Sequence, residues 1–258
     1  MGILNVTPDS FTEVGRHPDA EGAIARLQEM ATDGAAICDV GGESTRPGAT
    51  AVPEDEELRR LGPVLSAVRE RGAPLPLSID TSKAAVAEAA LDAGATVVND
   101  VTAGRADARL LPLAAERGAA VCLLHMQGTP ATMQDDPRYA DVVAEVRDFL
   151  AARLEAALEA GIPAERVLLD PGIGFGKTLE HNLSLLAGLP ALAALGRPLV
   201  VGVSRKGMLG RLLGREPGER LAGSLAAGLA ALARGASVLR AHDVRETVDA
   251  VRVWRAVR

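Results

Sequence analysis

Ionisable and amide residues recur at one kind of place in this chain, the end of a short apolar run. Asn5 ends the first such run, Asp39 the second, Asp80 the third and Asn99-Asp100 the fourth. His125, Asp170, Ser204-Arg205-Lys206, and Arg240 with His242 end the next four. Singly, an Asp or Ser after a strand is often only the cap of the following helix, and a lone histidine is more often structural than catalytic. All of these ends together, set among glycine and proline loops, point to one convergent site. Arg46, Arg205, Lys206, Arg240 and His242 would form a cationic patch, and arginine forks match phosphate oxygens. Asp80, Asn99 and Asp170 would form an acceptor-rich patch for a ligand edge bearing N–H donors. Asn5, Ser44 and Thr45 offer hard oxygens, suited to phosphate or to a magnesium ion that keeps most of its waters. No His/Cys grouping has zinc spacing, and Ser204 lies in no G-x-S-x-G elbow.

The stretch "DPGIGFGK" (170–177) packs glycines between an aspartate and a lysine, as a phosphate loop would. A P-loop needs a glycine where Pro171 stands, and a dinucleotide fingerprint needs one where Lys177 stands. Neither grammar fits, so the loop holds something else.

The elements that must position these residues alternate along the chain. The strand candidates are "GILNV", "AICDVG", "LPLSID", "TVVND", "AVCLLH", "RVLLD", "LVVGVS" and "SVLRAH". They are near-continuously apolar, as parallel strands buried on both faces are. Between them lie amphipathic segments with start and stop signals. Asp19 is placed to cap a helix with Ile24, Leu27 and Ala31 on one face and Gly34 beyond its end. Leu58, Leu61, Leu65 and Val68 stripe the next, closed by Gly72, and Thr81 or Ser82 is placed to cap a third that stops at Gly94. Eight βα units without a linker imply an α/β fold: a single-domain (β/α)8 TIM barrel over 1–258, with its active site at the C-terminal ends of the strands. The runner-up, an open doubly wound sheet, usually has fewer strands and a glycine loop after the first.

Bulk properties agree with a globular enzyme-sized domain. The 258 residues are 48% hydrophobic and 24% charged, and a net charge of −6 argues against broad nucleic-acid or membrane-surface binding. Aromatics at 2% leave almost no stacking platform for single-stranded nucleic acid. Cys38 and Cys122 sit in apolar runs, as buried thiols in a reducing compartment. The start "MGILNVT" carries no export signal, and the apolar stretch 221–233 is too short to span a bilayer. A cytoplasmic protein is expected. The same stretch is apolar around much of its circumference, so it is either deeply packed or a subunit contact.

"MGILNVTPDSF", "DVGGESTRPGA", "SIDT", "NDV", "HMQGTP", "DPGIGFGK", "VSRK" and "RAHDV" resemble, in order, the motifs of the dihydropteroate synthase family, over residues 1 to about 244. The resemblance implies a TIM barrel that joins 7,8-dihydropterin-6-ylmethyl diphosphate to 4-aminobenzoate, releasing diphosphate and making 7,8-dihydropteroate for folate synthesis. It also implies magnesium as cofactor, a homodimer and sulfonamide sensitivity. Position by position, Asn5 resembles the magnesium ligand. Thr45 and Arg46 match the mobile second loop. Asp80, Asn99 and Asp170 match the pterin pocket, and Lys206 a lysine reaching the pterin. Arg240 and His242 match the diphosphate anchors. Thr45, Pro47, Phe175 and the helix start after Lys206 match the aminobenzoate site, with Gly174 allowing close backbone approach. Asp80, Lys206, Arg240 and His242 are the catalytic set so implied.

Three departures stand out. "TEVG" (12–15) replaces the family's usual Ser-Asp-Gly-Gly, which is expected to alter the first loop. Gly207 replaces a serine that helps hold the aminobenzoate carboxylate, so weaker amine binding is expected, with a backbone N–H left as donor. The family's usual short leader does not precede "MGILN" in this sequence, which would either leave the bottom of the barrel less covered or reflect a trimmed start. Three rival readings are a pterin-dependent methyltransferase, for which "ESTRPG", "SRK" and "RAHDV" go unexplained, a non-catalytic pterin-binding paralogue, and an aldolase. The aldolase needs Lys206 desolvated and of lowered pKa, whereas Arg205 and a phosphate pocket would keep it charged.

Overall fold

The structure, a computed structural model, describes residues 1–6 and 20–257; Asp19 and the 12–15 stretch lie outside them. All eight expected strands form: β1 (Gly2–Asn5), β2 (Cys38–Gly41), β3 (Leu77–Asp80), β4 (Val97–Asp100), β5 (Ala120–Leu124), β6 (Val167–Asp170), β7 (Leu199–Val201) and β8 (Ala236–Leu239). They make one parallel sheet in sequential order. The chain after β8 returns to β1: the Ala241 N–H donates to the Met1 carbonyl at 2.9 Å, and the Ile3 N–H to the Ala241 carbonyl at 3.2 Å. This curled α/β arrangement is consistent with a TIM barrel.

The helices are α1 (Ala20–Thr32), α2 (Glu54–Arg71), α3 (Ala84–Asp92), α4 (Leu110–Glu116) and α5 (Val142–Glu159), then α6 (Leu179–Ala187), α7 (Leu189–Ala193), α8 (Gly207–Leu213), α9 (Leu221–Leu232) and α10 (Val244–Ala256). The stripes work as expected in α1 and α2: Ile24, Leu27, Leu61, Leu65 and Val68 are buried, with Ala31 and Leu58 half-buried against the same core. The cap of α3 differs. Its first N–H, on Ala84, is satisfied by Asp107 Oδ2 at 3.0 Å, while Thr81 Oγ1 turns to the Lys83 N–H. A carboxylate from the next βα unit outcompetes the local hydroxyls because it is charged and aimed at the helix N-terminus. Cys38 and Cys122 are free and buried. Helix α9 is half-exposed along much of its length, burying only Ser224, Gly228 and Ala231.

Register decides which side chains meet at the mouth. Asp39 pairs with Ser78 and Asp80 with Asn99 across parallel ladders. Paired residues share a face, as do residues two apart on one strand, so Asp39, Ser78, Asp80 and Asn99 form one polar cluster, all buried. Beside it the β5 and β6 loops touch backbone to backbone. A Cβ on Gly172 (φ +67°) would stand 1.8 Å from the His125 carbonyl oxygen. Gly172→Ala is therefore expected to lose about 3 kcal/mol or more. Gly196→Ala, with φ +73° but nothing within 4 Å of a new Cβ, is expected to lose only about 1 kcal/mol. Denaturant unfolding of the two variants checks the contrast.

Candidate active site

A cavity at the C-terminal ends of the strands is lined by Thr45, Asp80, Asn99, Val101, Leu124, Asp170, Ile173, Phe175, Gly202, Lys206 and Arg240. Seven of the residues singled out from the sequence, Thr45, Asp80, Asn99, Asp170, Phe175, Lys206 and Arg240, meet here. Asn5, at the end of β1 beside Gly41, is half-buried. Arg46 and Pro47 are exposed on the second loop.

The expected cationic and acceptor patches are not separate. Arg240 donates from Nε to Asp39 Oδ2 at 2.6 Å and from Nη2 to Asp80 Oδ2 at 2.8 Å. Asn99 Nδ2 donates to the same Asp39 oxygen at 2.9 Å. Buried carboxylates need a counter-charge, and register brings Arg240 within reach of both. Two of the five guanidinium N–H groups are used, leaving the others for a ligand. Burial raises Asp80 to about 7 although Arg240 opposes it. Burial likewise raises Asp170 to about 6, against the Gly172 N–H that it accepts at 2.7 Å. The second Asp170 oxygen and Asn99 Oδ1 remain as acceptors, the latter buried without a partner.

Two of the expected cations behave differently. Arg205 leaves the mouth for a surface ion pair with Asp243, with its backbone fixed at φ +57°. His242 is held near 4 by burial and by Arg240, Arg205 and Arg46, so it is a neutral hydrogen-bonding group at pH 7. Its Nδ1 and its backbone N–H both lie 3.1 Å from Ser204 Oγ. Lys206 is lowered by burial to about 8, with Asp170 opposing, and stays mostly charged. Its Nζ stands 4.3 Å over the Phe175 ring. The close approach at Gly174 (φ +85°) is to the Lys206 stem, 3.3 Å from a built Cβ. Gly207 opens α8 with nothing within 4 Å of a built Cβ, so a serine side chain would have room there.

Three supporting features escaped the sequence reading. Asp39 ties Arg240 to Asn99; its place at the end of the second run marked it as a rim group, and nothing near it in the chain signalled the tie. Lys83 Nζ bonds Glu43 at 2.5 Å and the fully buried Glu57 at 2.6 Å, anchoring the base of the second loop. Lys177, which ends the glycine loop after β6, is buried.

Residues 1–242 match the family model described as "Pterin binding enzyme". The dihydropteroate synthase of Escherichia coli (strain K12) is 49% identical over 256 residues, 99% of this chain and 90% of the relative. The chain belongs to the dihydropteroate synthase family of pterin-binding enzymes. Among solved structures of that family, the Xanthomonas albilineans dihydropteroate synthase with 4-aminobenzoic acid is 52% identical with a TM-score of 0.92, covering 99% of this chain and 91% of that one. The Yersinia pestis dihydropteroate synthase in a sulfonamide drug complex is 46% identical at the same TM-score, covering 99% and 92%. Among the described residues no helix is long and apolar enough to cross a membrane.

The raised Asp170 has a measurable consequence for this family member. It binds its proton more tightly folded than unfolded, so the stability it contributes is complete below the unfolded value of about 4 and is lost as pH rises through about 6. Asp170→Asn, which keeps an acceptor for Gly172, removes that loss. The variant is expected to gain on wild type between about pH 4 and 6, by roughly 2–3 kcal/mol at pH 7, in denaturant melts across that range.

Proposed function

We propose that the chain catalyses the dihydropteroate synthase reaction, joining 7,8-dihydropterin-6-ylmethyl diphosphate to 4-aminobenzoate. The observation that carries this reading is the convergence of buried acceptors Asp80, Asn99 and Asp170 with the half-buried cations Lys206 and Arg240 on one cavity. Asp170 and Asn99 would take the N–H edge of the pterin, and Lys206 would reach its ring. Phe175, with Thr45 and Pro47, would wall the aminobenzoate, the place where a sulfonamide would compete. Arg46, on the second loop, would close over the bound substrates.

The reaction breaks the methylene C–O bond, both electrons leaving on diphosphate, and forms a C–N bond from the amine lone pair. The surplus proton passes from the anilinium to water, so no strong base is needed. Asp80 and Asp170 would stabilise cation character on the dihydropterin as the bond breaks, an SN1-like path. Arg240 with its spare N–H groups, and neutral His242 with its ring N–H, would hold the departing anion. No group of three or more His, Cys, Asp or Glu suited to a metal exists among the described residues, and the amide oxygen of Asn5 suits an ion that draws its other ligands from water and phosphate. Asn5 would therefore hold magnesium, which when bound supplies positive charge to the diphosphate.

The remaining parts of the reading are a closed (β/α)8 barrel as one domain, supported by the bonds from Ala241 to Met1 and Ile3; a homodimer, supported by the half-exposed apolar helix α9; and a cytoplasmic location, with the two free buried cysteines in accord.

The test is diphosphate release from the dihydropterin diphosphate with magnesium, with and without 4-aminobenzoate, with dihydropteroate identified as product. Aminobenzoate-dependent turnover is expected, with Arg240→Ala lower by about 10²- to 10³-fold. Pterin binding without turnover in the wild type would instead make the chain a non-catalytic pterin-binding protein.

A further inference from the structure

Lys177 closes the "DPGIGFGK" loop but does not line the cavity. It is 1% exposed, and its ammonium meets three acceptors: His125 Nδ1 at 2.9 Å, the Phe175 carbonyl at 2.9 Å and the His125 carbonyl at 3.3 Å. An ammonium has three donors, so each has a partner. Burial lowers Lys177 to about 7 and His125 to about 3. The histidine is therefore neutral, with Nδ1 free to accept. The bond from the protonated amine, about half the population near pH 7, is charge-assisted and buried, and such bonds are among the strong ones.

The partners lie on two different loops. His125 follows β5 and opens "HMQGTP", a motif the proposed reaction leaves without a task. Phe175 lies at the centre of the β6 loop and carries the ring under Lys206. Other side chains from the β5 side reach the same loop: Gln134 Nε2 donates to the Gly174 carbonyl and the Tyr139 hydroxyl to the Gly176 carbonyl, both at 2.8 Å. From α6, Asn182 Oδ1 accepts from the Gly174 N–H at 2.6 Å. Gly176 (φ +61°) lies so close to Gln127 that a Cβ would stand 2.6 Å from its carbonyl oxygen. Of these ties, Lys177 is the one that carries a full positive charge when protonated, and the one that bonds the Phe175 backbone directly.

We infer that Lys177, held by His125, is a positioning residue that sets the Phe175 ring and, through it, the amine side of the cavity. The inference rests on the proposed reaction for the identity of the amine. The pterin side depends on it less, since Lys177 is the weakest of the influences that lower Asp170, after the Gly172 N–H, Lys206 and Arg240. Asp80 and Asn99 sit on β3 and β4, and Asp170 is fixed in β6 by its ladder and by the Gly172 N–H.

Lys177→Met keeps the stem and removes all three donors. In protein that still melts cooperatively, KM for 4-aminobenzoate is expected to rise about tenfold, while KM for the dihydropterin diphosphate stays within about threefold. His125→Asn, which keeps an acceptor in place of Nδ1, is expected to move the same KM less than Lys177→Met does. Amide hydrogen exchange in 172–177 of the ligand-free variant is expected to speed up without a matching change in the strands. An unchanged aminobenzoate KM, both KM values rising in step, or a lower melting temperature with exchange in 172–177 unaltered would overturn the inference. Absence of turnover in the wild type would overturn the proposed reaction instead, so the two failures are told apart.

Discussion

Arg240, itself half-buried, stands between the buried carboxylates of Asp39 and Asp80, 2.6 and 2.8 Å from their oxygens. The arrangement at the mouth depends on that contact. Carboxylates from adjacent strands, brought to one face by register, would repel and pull protons if left alone. The guanidinium between them offsets that repulsion, and the arginine is held strongly protonated because Asp39 and Asp80 more than offset its desolvation. Asp39 passes the constraint on by fixing the Asn99 amide, which turns that side chain's carbonyl into a free acceptor. A cationic ring and a departing anion can then be served from one place, since donor and acceptor groups interleave.

Such a site works against the stability of the fold. Asp80, Asp170, Lys177 and Lys206 are all pushed toward their neutral forms by burial. That cost is borne by the apolar shell around the strands and by outer ties such as the Lys83 bridge to Glu43 and Glu57. The β5 and β6 loops show the same balance in their backbones. Glycines at positive φ permit an approach no side chain would allow, and a buried lysine then locks it.

Much of this was legible in the residues alone. The eight apolar runs, with their polar last positions, gave the sheet order and the rim, because parallel strands buried on both faces leave few other patterns. Asp80, Asn99, Asp170, Lys206 and Arg240 were all visible as strand-end groups. What stayed hidden was pairing at a distance. Nothing near Arg240 in sequence says that Asp39, some two hundred positions earlier, takes its Nε, or that Arg205 turns outward to Asp243. The neutrality of His242 follows from burial first, and then from three arginines contributed by separate loops. The capping of α3 by Asp107 and the burial of Lys177 are likewise products of tertiary neighbours, which override local preference.

The central claim is that the buried acceptors, poised near neutrality, take the pterin as carboxylates. Calorimetric titration of an unreactive 2-amino-4-oxopterin at about pH 6.5, in two buffers of different ionisation enthalpy, tests it most directly. With Asp80 near 7 and Asp170 near 6 in the free protein, ligand N–H donors should drive protons off. The expected result is net proton release and an affinity that rises from about pH 5.5 to 7.5. Equal heats in both buffers, with an affinity flat across that range, would contradict it.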